Sequence, residues 1–266
     1  MAKPEPRYEF THPGLIYPEQ EADIRRVLAA MPHGNRAAFV RDFDHGIPHA
    51  YTVLEIGKEL LEDPRYKGKL NLRAAVIAAA LHDIGNSANR FPNALPSQRQ
   101  RARELHEKGG AARLSRYMRK AGFDEELISE VVEGVRAHDS GPHETLIAQF
   151  VSDADKLARF PWGVERTFSY GRTKAGERPL FDPAISEEER LGGHPVRFSH
   201  SRDSFGSLLK TAMTPVGAFY SKTAKRKVEK LRAEFVEDVR MMIAGHEHES
   251  EMLRLLQKAL RKGKRQ

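Results

Sequence analysis

Histidine and aspartate are the residues of this chain that are best suited to chemistry. The 266-residue sequence contains twelve histidines and no cysteine, so disulfides, thiolate metal sites and cysteine nucleophiles are excluded. Any bound metal must therefore be held by imidazoles and carboxylates. Neither a GxxxxGK phosphate loop nor a GxSxG nucleophile elbow occurs in the sequence, which argues against two other common designs for phosphate and ester chemistry.

The adjacent pair His82-Asp83 is the sharpest local feature. It ends the alanine-rich segment LNLRAAVIAAALHDIG, whose small side chains predict a helix packed closely on several sides. Adjacent helical residues project about 100° apart, yet an imidazole nitrogen and a carboxylate oxygen can still converge on one cation. The pair alone is unspecific, because a helix-capping or surface pair has the same appearance.

Two apolar stripes place further histidines on buried helix faces. In each stripe a histidine occupies a position that the helical period assigns to the core. The stripes are His49 with Val53, Ile56 and Leu60, and His138 with Ile128, Val131 and Val135. A buried structural histidine is the alternative to a metal ligand for both.

A third stripe carries a carboxylate. Ile147, Val151 and Asp155 follow one another at intervals of four residues, so Asp155 is predicted to face the core. A bare buried carboxylate costs several kcal/mol, and a metal ion is a suitable partner for it. Asp153 lies about 200° away around the same helix, and we expect it to support the site indirectly or to lie on the surface.

The order His49, His82-Asp83, Asp155 resembles the H…HD…D signature of the HD-domain metal-dependent phosphohydrolases. In that family the last aspartate is followed by a basic residue and leucine, as in Asp155-Lys156-Leu157. The resemblance covers roughly residues 36–170. It implies an all-α HD-type helical bundle with additional C-terminal helices. It also implies that His49, His82, Asp83 and Asp155 bind a first metal, and that Asp83 orients the attacking water.

The segment after Asp155 is similar to the bacterial nucleotide pyrophosphohydrolase branch of this family. DADKLARFPWGVERTFSYGRTKAGERPLFDP matches that branch's DADRL, RTFAYG and RPLYDP motifs. This resemblance implies a nucleotide substrate. Lys156 would then neutralise a substrate phosphate, and Arg166 would offer it a bidentate fork. An ordinary exposed ion pair is the alternative for Arg166.

His106 and His138 resemble the two extra histidines of dinuclear HD proteins. These include diadenosine tetraphosphate hydrolases, cyclic-dinucleotide phosphodiesterases and diiron oxygenases, so one or two ions per chain remain possible. Two divalent cations with two carboxylates leave a site charge of about +2, against about zero for one cation, and two ions can share a hydroxide. The mixed imidazole and carboxylate ligands suit Mn²⁺, Fe²⁺, Co²⁺ or Ni²⁺ better than Mg²⁺.

Together these observations predict an enzyme that cleaves a phosphate ester or anhydride of a nucleotide by a metal-activated hydroxide. A diiron oxygenase of the same fold is one alternative. A nuclease that binds nucleic acid through its C-terminal helices is another, because residues 209–266 carry 14 Lys and Arg against 7 Asp and Glu. The basic excess lies on the last helices rather than on the body of the domain, so nucleic acid is not the favoured partner.

Helical periodicity dominates the chain. A cytoplasmic protein without a membrane span is expected, since the longest apolar run, Ala74 to Leu81, has eight residues and the N-terminus lacks the apolar core of a signal peptide. We expect an N-terminal extension (1–35), the HD bundle (36–245) and a basic C-terminal helix and tail (246–266). Segments 85–96 and 170–195 lack a regular pattern. The predicted helices are 20–31, 36–44, 47–62, 71–84, 97–121, 124–138, 144–160, 200–212, 215–244 and 247–262.

Overall fold

The computed structural model describes residues 18–41, 45–85, 96–136, 138–139, 141–173, 179–191 and 203–265. Within these ranges the chain forms eleven α-helices, one short 3-10 turn and no β-strand, which confirms the all-α prediction. The helices are α1 (Pro18–Ala30), α2 (His33–Arg41), α3 (Ile47–Leu60), α4 (Leu72–Leu81), α5 (Pro96–Lys120), α6 (Glu125–Arg136), α7 (Leu146–Thr173), α8 (Glu187–Leu191), α9 (Phe205–Ala212), α10 (Lys222–Ile243) and α11 (Glu249–Arg265).

Helix α4 lies at the centre of the bundle, against α1, α3, α6 and α7. Every residue from Ala74 to Leu81 is buried, as the alanine-rich segment predicts. Small residues allow close spacing between α4 and α6 and between α3 and α7. A methyl group added at Gly134 of α6 would lie 2.9 Å from the Ala78 Cβ, and one at Gly57 of α3 would lie 3.1 Å from the Phe150 ring of α7.

Helix α7 is longer than the sequence predicts. The predicted end at residue 160 lies directly before Pro161. Proline has no backbone N–H to donate the helical hydrogen bond, so a helix often ends before it. The helix nevertheless continues through Pro161 to Thr173. Helices α9 and α10 pack along α7. A methyl group added at Gly163 of α7 would lie 3.3 Å from the Phe235 ring of α10. Packing around Gly163 therefore accompanies the continuation of the helix past the missing hydrogen bond.

The predicted helix 215–244 is interrupted before α10. Residues Val216–Ala218 form the 3-10 turn, and α10 begins only at Lys222. Asp153 explains the break, because its carboxylate accepts hydrogen bonds from the backbone N–H groups of Tyr220 (2.8 Å) and Ser221 (2.9 Å). It also accepts one from the Tyr66 hydroxyl at 2.9 Å. Asp153 is fully buried, so the surface position considered for it is wrong.

The two ends of the described chain also pack on the bundle. Helix α1, within the expected N-terminal extension, lies against α4 and α5. Part of the basic excess of α11 is engaged in ion pairs, since Arg254 and Lys258 both contact Glu187 of α8. Helix α8 itself lies in the segment 170–195, where no regular structure was expected. Among the helices of the described ranges, none is long and apolar enough to cross a membrane.

Candidate metal centre

Six buried side chains from five helices and their flanking turns meet inside the bundle. Four are imidazoles and two are carboxylates, and each is at most 7 % exposed. All six come from the positions that the sequence identifies as metal ligands. They are His49 at the start of α3, His82 and Asp83 in the turn after α4, His106 in α5, His138 in the turn after α6, and Asp155 in α7.

Two glycines allow the turn after α4 to rest on α5. A methyl group added at Gly85 would lie 2.3 Å from the His106 carbonyl oxygen and 2.9 Å from the Gly110 Cα. No larger residue fits there without moving the backbone. This approach brings the His106 Nε2 to 3.0 Å from the Asp83 Oδ1. Of the pair Gly109-Gly110, only Gly110 makes this close contact, because a methyl group added at Gly109 would meet no atom within 4 Å.

Asp83 lies between two groups of histidines. Its Oδ2 is 3.3 Å from the His82 Nε2 and 3.9 Å from the His49 Nε2. Its Oδ1 is 3.0 Å from the His106 Nε2 and 3.5 Å from the His138 Nε2. Two triads that share Asp83 result, and within each triad the three ligand atoms lie within 4.8 Å of one another. Either triad has suitable spacing for a metal ion.

Asp155 belongs to the side of the first triad. Its Oδ1 lies 3.2 Å from the His49 Nε2 and 3.7 Å from the His82 Nε2. The apolar stripe that ends at Asp155 is buried, with Val151 fully inaccessible. The geometry therefore agrees with the face that the helical period assigns to this carboxylate.

Backbone carbonyls fix the imidazole orientation at one histidine of each triad. The Nδ1–H of His82 donates to the Ala79 carbonyl, and that of His138 donates to the Val135 carbonyl, both at 2.8 Å. In this tautomer Nε2 keeps its lone pair for a metal. The His82 Nε2 is buried and makes no hydrogen bond within the described part of the chain, so the donor set fits a cation at this position.

The charges of the cluster favour bound positive charge. Burial of His82 opposes its protonation, but the negative charge of Asp83 and the contact with Asp155 outweigh burial and raise the pKa of His82 well above 6.5. Burial raises the pKa of Asp83, but the charge of His82 and contacts with the other imidazoles lower it well below its usual value. The cluster thus attracts protons and divalent cations to the same atoms.

Arg159 is a neighbour of the site that the sequence analysis missed. Its Nη2 lies 2.5 Å from the Asp155 Oδ2 and 2.8 Å from the Asp139 Oδ1. The positive charge of Arg159 lowers the pKa of Asp139, so this carboxylate stays ionised. The spacing Asp155–Arg159 is the i, i+4 spacing at which helical ion pairs form, and it is the pattern that could have identified the residue.

Lys156 and Arg166 are the two residues predicted to contact a substrate phosphate. The Lys156 Nζ donates to the Ser152 Oγ at 2.7 Å and to the Ala218 carbonyl at 3.3 Å. Burial, followed by the charge of Arg159, lowers the pKa of Lys156. Arg166 is part of helix α7, but the structure does not describe its side chain. The role of both in phosphate binding stays a prediction.

Comparisons with known proteins identify the central part of the chain. Residues 46–159 match the family model of the HD domain. No curated protein and no solved structure matched the sequence in the corresponding comparisons. The matched range contains all six clustered residues and both triads. Residues 46–159 of this chain are therefore an HD domain, the helical domain type of metal-dependent phosphohydrolases.

Proposed function

We propose that this protein hydrolyses a phosphate ester or anhydride of a nucleotide at a centre of two divalent metal ions. The observation that carries the proposal is the position of Asp83, whose two oxygens face two different histidine pairs. A carboxylate placed in this way can hold two cations at once. A structural histidine cluster would not require each oxygen to face a separate pair of imidazole nitrogens.

The charge of such a centre suits a phosphate substrate. Two divalent cations with Asp83 and Asp155 leave a net charge of about +2, and the ion pair of Arg159 with Asp139 adds nothing to it. A site with this charge attracts a polyanion, and burial strengthens the attraction because the local dielectric is low. With a single cation the same ligands would be neutral.

The protein residues divide the work of binding and orientation. His49, His82 and Asp155 would hold one ion, and His106 and His138 the other. Asp83 would contact both ions and orient the attacking water. The bound cations would supply Lewis acidity and lower the pKa of that water towards about 7. Lys156 would give up its hydrogen bond to Ser152 or Ala218 and donate to the substrate phosphate instead. Arg166 would add a second cationic contact to that phosphate.

The nucleotide as substrate rests on sequence resemblance. The motifs ERTFSYG and RPLFDP follow Asp155 in the order found in nucleotide pyrophosphohydrolases. The Mn²⁺, Fe²⁺, Co²⁺ or Ni²⁺ preference rests on the four imidazoles, which a hard cation such as Mg²⁺ accepts less readily.

A screen of nucleotides with each of these metals tests the proposal. We expect pyrophosphate from a nucleoside triphosphate, separated from orthophosphate by chromatography. The matched control is Asp83→Asn, which keeps the size of the side chain and removes the charge. Orthophosphate from a nucleoside monophosphate would contradict the pyrophosphohydrolase assignment. No hydrolysis with any of the metals would contradict the phosphohydrolase itself.

The two triads equally suit a diiron oxygenase, which the same screen can recognise. Protein loaded with Fe²⁺ is exposed to air with candidate diols and phosphonates, and oxygen consumption is measured. Substrate-dependent consumption of oxygen without nucleotide hydrolysis would favour the oxygenase. We expect hydrolysis and no such consumption.

A further inference from the structure

Four charged residues form a network beside the metal cluster. We call them the Arg159 network, and they are Asp155, Arg159, Asp139 and Glu107. One of them is itself a predicted ligand, and two are neighbours of ligands in sequence, since Asp139 follows His138 and Glu107 follows His106. The network therefore includes Asp155 beside the first triad and the chain neighbours of two ligands of the second triad, on three different helices or turns.

Arg159 connects the carboxylates at the middle of this network. Its Nη2 approaches the Asp155 Oδ2 at 2.5 Å and the Asp139 Oδ1 at 2.8 Å. The other oxygen of Asp155 faces the His49 Nε2 at 3.2 Å. Because one oxygen is engaged by Arg159, Asp155 is oriented to offer a single oxygen to a metal.

Asp139 extends the network to the second triad. Its backbone N–H donates to the Glu107 Oε1 at 2.8 Å, and Glu107 is 2 % exposed. The turn that carries His138 is thus attached to α5 directly beside His106. The side chain of Asp139 is held by Arg159 of α7.

We propose that Arg159 is a positioning residue that couples the two halves of the metal centre. This inference rests on the proposed function. Without Arg159, the Asp155 Oδ2 loses its 2.5 Å partner, and the partly buried Asp139 loses its 2.8 Å ion pair, with Lys210 remaining as a nearby positive charge. The loss of these pairs is unfavourable for both carboxylates. A shift of Asp139 would move the adjacent His138, which belongs to the second triad. Removing one side chain that contacts only Asp155 among the ligands should therefore weaken metal binding at both triads.

Titration of metal-free protein with Mn²⁺, followed by calorimetry and electron paramagnetic resonance, tests this coupling. In the wild type we expect two ions per chain and the exchange-coupled spectrum of a Mn²⁺ pair. Arg159→Ala should weaken binding at the first ion at least tenfold and abolish the coupled spectrum. Arg159→Lys, which keeps the charge without the planar fork, should recover part of the affinity. Asp139→Asn should weaken the second ion more than the first.

Arg73→Ala is the matched control. Arg73 of α4 makes a two-point contact with Asp23 at 2.5 and 2.9 Å, and it belongs to neither triad. Its loss should lower the melting temperature and leave both Mn²⁺ affinities unchanged.

The outcomes separate this inference from the function on which it rests. Wild-type protein that binds two Mn²⁺ ions, with Arg159→Ala and Asp139→Asn binding them as tightly, would overturn the positioning role and leave the proposed function intact. Wild-type protein that binds no Mn²⁺, Fe²⁺, Co²⁺ or Ni²⁺ would overturn both. If Arg159→Ala does not fold, Arg159→Lys and Asp139→Asn decide, and unchanged affinity in both would overturn the coupling.

Discussion

At the scale of single residues, two aspartates of α7 two positions apart serve different parts of the molecule. Asp155 faces the imidazoles of the first triad, whereas Asp153 holds the start of α10 through Tyr220 and Ser221. Both carboxylates are buried, so burial alone does not distinguish them. Their partners do, and substitution should separate the two roles.

Asp155→Ala should abolish hydrolysis and weaken metal binding, with a small change in the melting temperature of the metal-free protein. Asp153→Ala should keep the metal and much of the activity. It should cost about 3 kcal/mol of stability, because two backbone N–H groups and the Tyr66 hydroxyl lose their charged acceptor. Metal analysis, rates and thermal melts of both variants check this. The reverse pattern would show that the assignment of helix faces is wrong.

His106 and His138 test the number of ions. If both bind a second metal, the purified wild type should hold close to two ions per chain, and His106→Ala or His138→Ala should hold about one. The hydrolysis rate of each variant should fall by a large factor, and its melting temperature should change little. Buried structural histidines would instead give one ion in all three proteins, with lower melting temperatures for the variants. Metal analysis of the three proteins distinguishes these results.

At the scale of elements, the contact between the turn after α4 and helix α5 places the second triad. This contact requires a residue without a side chain at Gly85, because any Cβ there would meet the His106 carbonyl at 2.3 Å. The position of His106 relative to Asp83 thus depends on the absence of a side chain at Gly85. The glycine, rather than helix propensity, sets the distance between the two elements.

Gly85→Ala should separate α5 from the turn, cost about 1–3 kcal/mol through overpacking and lower the affinity of the second metal. Gly109→Ala is the control on the same helix pair. It has space for the methyl group and should stabilise α5 by up to about 1 kcal/mol. Denaturant unfolding and Mn²⁺ titration of both variants measure these effects. Equal metal affinity for Gly85→Ala and the wild type would contradict the role of this contact.

At the scale of the whole molecule, the metal centre joins helices that are distant in sequence. Its ligands extend from His49 to Asp155 and come from α3 to α7. A bound ion therefore connects most of the central bundle. Ions that bind only the folded state stabilise it by mass action, by about 2.7 kcal/mol at a concentration one hundred times the dissociation constant.

The stabilisation by metal should increase with pH. In the metal-free protein the raised pKa of His82 means that protonation stabilises the fold below pH 6.5, and this contribution is lost as the pH rises through the raised value. Metal binding needs the neutral imidazole, so its affinity increases over the same range. The difference in melting temperature between Mn²⁺-loaded and metal-free protein should therefore be larger at pH 8 than at pH 6. An equal or smaller difference at pH 8 would contradict proton competition at His82.

The sequence by itself determined which residues meet at the centre and which helix faces carry them. His49, His138 and Asp155 follow from apolar periodicity, because the period of a helix is a local property of the chain. The alanine-rich α4 is likewise a local pattern, and its burial is as predicted. The recognition of H…HD…D in the right order added His82 and Asp83.

Only the tertiary structure decided the relations between elements. Asp83 faces two histidine pairs, Arg159 joins Asp155 to Asp139, and Asp153 is buried beneath the start of α10. Each of these contacts connects residues whose separation in sequence has no fixed relation to their distance in space. Periodicity predicts one buried face for α7, but helices on several sides bury it all round between residues 150 and 155. Long-range packing, which no local pattern encodes, therefore determined the surroundings of the ligands and the extent of α7.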